Sequence, residues 1–498
     1  MRTLGLRNSL FISLCFAFLV AQSGAQPLSA SEPAQLLAGH LLGATPLLED
    51  LRELCDRVGG RPTGSPACER AVEWAADKFR AAGIETVMLE PFTVLNLWLP
   101  GVAEADCVAP EPFPIRIVST PYSPSTPGGQ PLEARLVDAG EGSAEEFAAL
   151  GDTAKGAIAL VKTHEMKTLE DLFAEYLRNS ELLEAAQKAG VAALLLQSTR
   201  PRGLLYRHPM SFSATYSPLP VALAAREPAA RLGRLLERGE VRIRLRLANQ
   251  TGGAYQSQNV IAEIRGRELP QEIVLLGAHL DSWDLGTGAD DNGVNVALVL
   301  EVARAFKELG LAARRTVRFA LFTGEEQGML GSAAYVQRHA AELDQHVAAV
   351  IFDIGSGRTT GFYLNGRDEL RPALERGLAA VGGLGPFENV AEGVDGTDNF
   401  DFLLSGVPNL VAAQDAAPYL PNYHAESDVF EMVDGRQAEI NAAIAASVIW
   451  SLAEQEDRPA PRQSRDQVEK LLVDTGLDQQ MKAFGQWDDW VAGRRGVH

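Results

Sequence analysis

The chain has 498 residues, 46% of them hydrophobic and 22% charged, with 45 Lys and Arg against 65 Asp and Glu and a formal charge of −20 at pH 7. That length exceeds what one core usually supports, so two or three domains are expected. The acidic balance argues against a nucleic-acid partner or an anionic membrane surface, both of which need clustered Lys and Arg.

In chain order, Arg2 and Arg7 precede an apolar run, Leu10 to Val20, followed by Ala21-Gln-Ser23-Gly-Ala25. A positive start, a short apolar stretch and small residues before a cut after Ala25 predict a signal peptide over residues 1–25. A membrane anchor would need ~20 apolar residues. Cys15 has no small residue before it, which argues against a lipoprotein site, and no later segment is long and apolar enough to span a membrane. The mature protein is expected to be exported, periplasmic or secreted, with Cys55, Cys68 and Cys107 remaining. That count permits one disulfide, with Cys55–Cys68 across Gly59–Pro66 the favoured pair, although spacing alone cannot establish it.

Ala34–Leu54 and Ala67–Ala82 read as helices, the second with an apolar stripe that makes Trp74 and Phe79 core anchors. Residues 85–110 read as strands with Pro breaks, and 33–111 as the first part of a larger domain. From residue 112 to 250 the texture changes. Strand-like runs at Ala157–Val161, Ala192–Leu196 and Val241–Leu247 surround a helical stretch, Asp171–Ala189, and predict an inserted α+β unit. Arg242, Arg244 and Arg246 alternate as expected for the solvent face of an edge strand.

Residues 255–455 alternate strand and helix: strands Gln258–Arg265, Glu272–Leu276, Thr316–Phe322, Val347–Phe352 and Val407–Ala413, with helices Asn292–Leu309, Ser332–Glu342, Leu370–Val381 and Gly435–Glu454. This predicts an α/β fold with a doubly wound, mostly parallel sheet flanked by helices. The tail, 456–498, is charged and partly amphipathic, suited to packing on the body or on a partner subunit.

Ligands of such sheets bind beyond the carboxyl ends of the strands. His279 follows the first long apolar strand, Asp290-Asp291-Asn292 opens the next helix, Glu325-Glu326 follows the second strand and Asp353 the third, while His424 lies in the loop Tyr419–Asp428. Each alone is commonplace as a cap or solvated turn. Together, imidazoles and carboxylates at strand ends are what a hydrolytic metal site requires. Adjacent side chains diverge, so Glu326 is assigned as a ligand and Glu325 as general base, and Asp281 is expected to hydrogen-bond the second nitrogen of His279. Tyr423, beside His424, is a candidate oxyanion donor or a packing residue.

His279-Leu-Asp281-Ser, Gly288-Ala-Asp-Asp291, Glu325-Glu326, Asp353 and His424 occur in an order that resembles the secreted co-catalytic zinc exopeptidases, a family that includes leucyl-type aminopeptidases and glutamate carboxypeptidase. His279–Asp284, Thr323–Gly328 and Glu392-Gly-Val-Asp-Gly-Thr-Asp398 look closest to its carboxypeptidase Q branch. The resemblance implies the zinc-exopeptidase (phosphorylase/hydrolase-like) fold, with residues near 112–250 as a protease-associated insert and 255–455 as the catalytic core. It implies two Zn²⁺ per chain, with Co²⁺ or Mn²⁺ also suited to such ligands. Asp291 would bridge the metals and precede a cis peptide to Asn292, His279 and Asp353 would complete one metal, and Glu326 and His424 the other. It further implies short-peptide substrates and a possible homodimer. Asp290–Asn295 departs from a more glycine-rich stretch in the closest branch, and the loop before His424 is distinct, which bears on substrate preference. An aminopeptidase acting on longer peptides uses the same metals. A one-zinc glutaminyl cyclase-like transferase or a catalytically silent receptor would lack ligands that are all present here.

Overall fold

The computed structural model describes residues 31–498; the expected leader, with Cys15, lies outside them. The strands are β1 (Thr86–Val94), β2 (Leu97–Ala109), β3 (Phe113–Ile115), β4 (Ile117–Ser119) and β5 (Leu132–Asp138). They continue with β6 (Ile158–Val161), β7 (Ala193–Gln197), β8 (Val221–Ala224), β9 (Val241–Gly252) and β10 (Tyr255–Ile264). The last are β11 (Leu269–His279), β12 (Arg315–Phe322), β13 (His346–Ile351), β14 (Thr359–Tyr363) and β15 (Asn409–Gln414). They form a seven-stranded sheet, β1-β10-β12-β11-β13-β15-β14, and an eight-stranded sheet, β3-β2-β9-β5-β6-β7-β8-β4.

In the first sheet β12, β11, β13 and β15 run parallel, and β1, β10 and β14 pair antiparallel at its flanks. Every position of β12 and β13 is buried, as expected where helices cover both faces. Successive residues serve opposite faces. Val274 and Leu276 join the core under the helices Val294–Glu308 and Gly435–Glu454. Leu275 faces Phe322, Tyr335 and Phe402 instead.

Several elements depart from the expected spans for local reasons. The first expected helix breaks at Pro46 into Ser31–Leu41 and Leu47–Glu53, since proline offers no N–H to continue a turn. The helix expected over 171–189 is two, Leu169–Leu177 and Asn179–Ala189. Helix Pro66–Ala81 begins where Ser65 Oγ accepts from Cys68 N at 3.1 Å. It buries Phe79 against Phe319, with Trp74 half-buried at the same core.

The second sheet begins at Leu97, ahead of the textural change near residue 112, because β2 pairs along β9. Strand β9 also pairs with β5, so it is interior and not an edge. Arg242, Arg244 and Arg246 do face solvent, but what they cover is a sheet surface, with Glu133 and Glu104 opposite on the neighbouring strands. Cys55, Cys68 and Cys107 are free and buried. The favoured Cys55–Cys68 bond does not form: Cys55 packs into the main core, Cys68 is buried in the first turn of the helix Pro66–Ala81, and the Arg61 guanidinium lies within range of both thiols.

The tail packs on the body. Helices Arg465–Thr475, Leu477–Ala483 and Trp487–Val491 cover Phe400 and Leu404 with Leu472, Met481 and Trp490, and Arg495 forks onto the buried Asp401 at 2.8 Å through both nitrogens. No helix among the described residues is long and apolar enough to cross a membrane.

Candidate metal centre

Strand β11 ends at His279, β12 three residues before Glu325 and β13 two before Asp353. The parallel strands therefore deliver these side chains to one crevice at their carboxyl ends. His279 Nε2 lies 2.8 Å from Asp353 Oδ1 and 3.3 Å from Asp291 Oδ1. His424 Nε2 lies 2.8 Å from Glu326 Oε2 and 3.4 Å from Asp291 Oδ2. Asp291 thus turns one oxygen to each histidine. The five side chains form two three-donor groups, His279–Asp291–Asp353 and Asp291–Glu326–His424, whose donor atoms lie within 4.8 Å of one another.

All five are buried, and burial competes with the neighbouring charges: burial lowers His279, but the carboxylates around it raise its imidazole well above the ordinary value. Burial pushes the Glu326 and Glu325 carboxyls well above the usual carboxylate range, and neighbouring carboxylates add to this while the His279 charge opposes it. Burial also raises Asp291, but the hydrogen bond from His279 and both imidazoles bring it below its ordinary value. His424 is lowered to about 4, chiefly by burial, which keeps its imidazole in the neutral form that binds metals.

The residues fit a cation pair. Asp291 Oδ2 and Glu326 Oε1 are buried with no hydrogen-bond donor, and buried acceptors of that kind are rare in folded proteins unless an ion or water serves them. Nitrogen from two histidines and oxygen from three carboxylates is a donor set suited to zinc and its first-row neighbours.

The supporting contacts are only partly those expected. Asp281 does not reach His279 through its carboxylate. Its backbone oxygen lies 3.0 Å from His279 Nδ1, whereas Oδ1 is 3.8 Å away, because the two-residue spacing folds the chain back on itself. The carboxylate instead accepts from Thr63 Oγ1 at 2.7 Å and from Glu325 N at 3.3 Å. Glu325 Oε2 stands 3.9 Å from His279 Nε2. Asp428 accepts from the backbone N–H groups of Asp290 and Asp291 at 2.7 and 3.2 Å, and the peptide between Asp291 and Asn292 is cis. Gly288 has φ 61°, and a Cβ there would sit 2.3 Å from the Ser282 side chain. Only glycine fits.

Tyr423 stacks on His424 at 3.6 Å between ring centres, and its hydroxyl accepts from Tyr176 at 3.3 Å. Tyr419 is close enough for the Asp291 charge to raise its hydroxyl further after burial, and both tyrosines line the cavity between the ligands, about 30 Å³ in volume.

Sequence reasoning missed three contributors. Arg61, fully buried, donates to the carbonyls of Leu280, Thr287 and Gly288, shaping the loop beyond His279; its only signal was an arginine inside Gly-Gly-Arg-Pro. Arg207, from the second sheet's unit, holds His424 through its backbone: its N donates to His424 O at 3.0 Å, and its O accepts from His424 Nδ1 at 3.1 Å. Tyr419 carried no signal beyond its neighbourhood.

Two histidines and three buried carboxylates beyond the ends of a parallel sheet, arranged to hold cations, define a metal-dependent hydrolase. The sequence profile of peptidase family M28 matches residues 259–449. Carboxypeptidase Q of Bos taurus is 30% identical over 413 residues, 82% of this chain and 85% of the bovine protein; the Homo sapiens protein is 29% identical with the same coverage. The crystal structure of a peptidase M28 precursor from Shewanella amazonensis superposes with a TM-score of 0.78 at 28% identity, covering 87% of this chain and 99% of that one. A zinc aminopeptidase from Bacillus subtilis shares the fold, with a TM-score of 0.66 at 20% identity over 86% of this chain and 98% of that one. The chain belongs to peptidase family M28. It is a hydrolase, a metallo-exopeptidase.

Proposed function

We propose that the protein is an exported, two-zinc exopeptidase that releases single amino acids from dipeptides or short peptides, as the likeness to carboxypeptidase Q suggests. The observation that carries this reading is the sharing of Asp291 between two three-donor groups. His279 and Asp353 would hold one ion and Glu326 and His424 the other, and Co²⁺ or Mn²⁺ suits the same donors. When bound, such a pair polarises the scissile carbonyl and acidifies the attacking water. Glu325, facing the same crevice, takes the water's proton and passes it to the leaving amine. Asp281 fixes the Glu325 backbone and the His279 turn. Tyr419 and Tyr423 line the space where the oxyanion forms. The unit carrying the second sheet corresponds to a protease-associated domain, and the protein acts as a homodimer outside the cytoplasm.

The residues lining the metal cavity and the larger cavity beside it include no Lys or Arg. This favours a second reading, in which the free amino terminus is recognised and longer peptides are also cut. A panel of dipeptides with N-acetylated and C-amidated forms, with and without chelator, separates the two. Chelator-sensitive release that either blocking group prevents supports the dipeptidase. Cleavage of amidated and longer peptides from the amino end supports the aminopeptidase. No release, with zinc at two per chain, overturns both and leaves a catalytically silent binding homologue.

A further inference from the structure

A cavity of about 290 Å³ opens beside the metal centre and shares Asp353, Gly396, Tyr419 and Tyr423 with it. A substrate whose scissile bond lies at the metals therefore has room for a neighbouring side chain there. Its walls include Leu172 and Phe173 from the helix Leu169–Leu177, Ile354 beyond β13, and the strip Glu392–Thr397. Most of the wall is apolar. Its charged members outside the ligand set are all acidic: Glu170, Glu392 and the buried Asp395.

Glu170 and Glu392 are exposed, so they stand where the cavity meets solvent. They come from distant parts of the sequence, yet both bear on the Tyr363 hydroxyl, which burial raises first and these two charges raise further. Glu170 sits in the first turn of its helix, next to a capping box in which Thr168 and Asp171 satisfy each other's backbone N–H groups. Its carboxyl is lowered from the ordinary value, chiefly by the backbone N–H at the helix start, so it is ionised at neutral pH. Glu392 precedes Gly393, whose own Cβ position is closed by Leu477 of the tail helix; the strip is therefore backed by packed structure.

An apolar channel with carboxylates at its mouth and no cation among its lining residues is matched by one kind of side chain: a hydrocarbon stem with a positive head. We propose that this cavity is a specificity subsite selecting long cationic side chains, of the lysine and arginine class, and that Glu392 and Glu170 are the residues that select them. Acidic side chains are repelled by the same pair and find no counter-charge. The inference rests on the exopeptidase reading, which supplies the substrate's position.

The test compares kcat/KM for dipeptides carrying lysine, norleucine or glutamate at either position with alanine at the other. Norleucine keeps the stem and removes the charge. Because the carboxylates are solvent-exposed, lysine is expected to exceed norleucine by about 5-fold at low salt, with the preference shrinking as salt is raised. Glutamate should rank last. In the double variant Glu170→Gln/Glu392→Gln the lysine-to-norleucine ratio should fall to about 1, and Glu392→Lys should raise glutamate relative to lysine. A wild-type ratio of 1 or less at both positions, or a ratio that survives in the double variant, overturns the proposal. If no peptide is hydrolysed, the exopeptidase reading fails on its own account. The cavity is then read by calorimetric binding of free lysine against free norleucine to the zinc-loaded protein: tighter lysine binding, lost in the double variant, sustains the subsite, and equal affinity overturns it.

Discussion

Replacing Arg207 by methionine tests whether the second sheet's unit holds the His424 side of the centre. Arg207 donates through Nε and Nη2 to both oxygens of Asp284 at 2.8 Å, and through Nη1 to Ser119 O at 2.7 Å. Its side chain is 5% exposed and that of Asp284 25% exposed. Removing one partner of a fully buried pair costs about 3–5 kcal/mol, but Asp284 is wet enough to recover part of its hydration. The orphaned Ser119 carbonyl adds about 1 kcal/mol, and methionine retains the apolar stem. A loss of about 3 kcal/mol is expected, measured by urea unfolding through the fluorescence of Trp98 and Trp283, whose rings meet edge-on 6.3 Å apart beside this contact. Since the Arg207 backbone brackets His424, zinc affinity by chelator competition should fall about 10- to 100-fold, the usual cost of disturbing a ligand's hydrogen-bond partner. Arg207→Lys, charged but unable to fork, should fall between. Stability within about 0.5 kcal/mol of wild type together with unchanged zinc affinity would refute the reasoning.

Glu325→Gln should reduce turnover by about 10²- to 10⁴-fold with metal content by mass spectrometry unchanged; loss of metal instead would make Glu325 a ligand. Gly288→Ala forces a Cβ against Ser282 at a left-handed backbone position, costing about 1–3 kcal/mol, and differential scanning fluorimetry should show the loss. Glu342, hydrogen-bonded by His339 and Arg318, is depressed from 4.5 to about 2. A depressed carboxylate adds stability above its unfolded pKa and loses it as pH falls through the folded one, so Glu342→Gln should be less stable than wild type at pH 6, with the gap closing between about pH 4.5 and pH 2. Thiol titration of the denatured, unreduced protein should find Cys55, Cys68 and Cys107 all reactive, because the three are free.

The parts of this molecule legible in the sequence were those in which local pattern and tertiary role agree. The carboxyl-terminal halves of strands β11, β12 and β13 are buried and apolar, Ile273–Ala278, Phe319–Phe322 and Val347–Ile351, so the residues just beyond them could be lined up before any fold was known. That alignment brings His279, Asp291, Glu326, Asp353 and His424 together in the structure. The second sheet was harder. Strand β2 sits next in sequence to β1 but pairs with β9, far along the chain, and nothing local distinguishes the two partners. The arginine alternation on β9 identified a solvated face correctly but not whether the strand was an edge, since side-chain periodicity is silent about backbone pairing. Asp281 failed at a finer scale: either its carbonyl or its carboxylate can meet an imidazole two residues away, and only the turn geometry chooses. The Arg61 side chain works through backbone carbonyls and Arg207 holds His424 through its own backbone, and such contacts leave no residue-specific trace in a sequence.

The bracketing of the loop Asn422–Glu426 by Arg207, Leu205 and Arg116 has a thermodynamic corollary. One half of the centre is presented by the seven-stranded sheet, while the loop carrying the other histidine is gripped by the neighbouring unit. An ion bound at Asp291 would add to the contacts that already join the two sheets, Arg207 to Asp284 and Trp98 to Trp283, and its free energy would be shared by both sides. Calorimetric melting should follow one cooperative transition in the zinc-loaded protein and resolve into two after chelation. The ions would then set not only the chemistry but how many independent pieces the protein has.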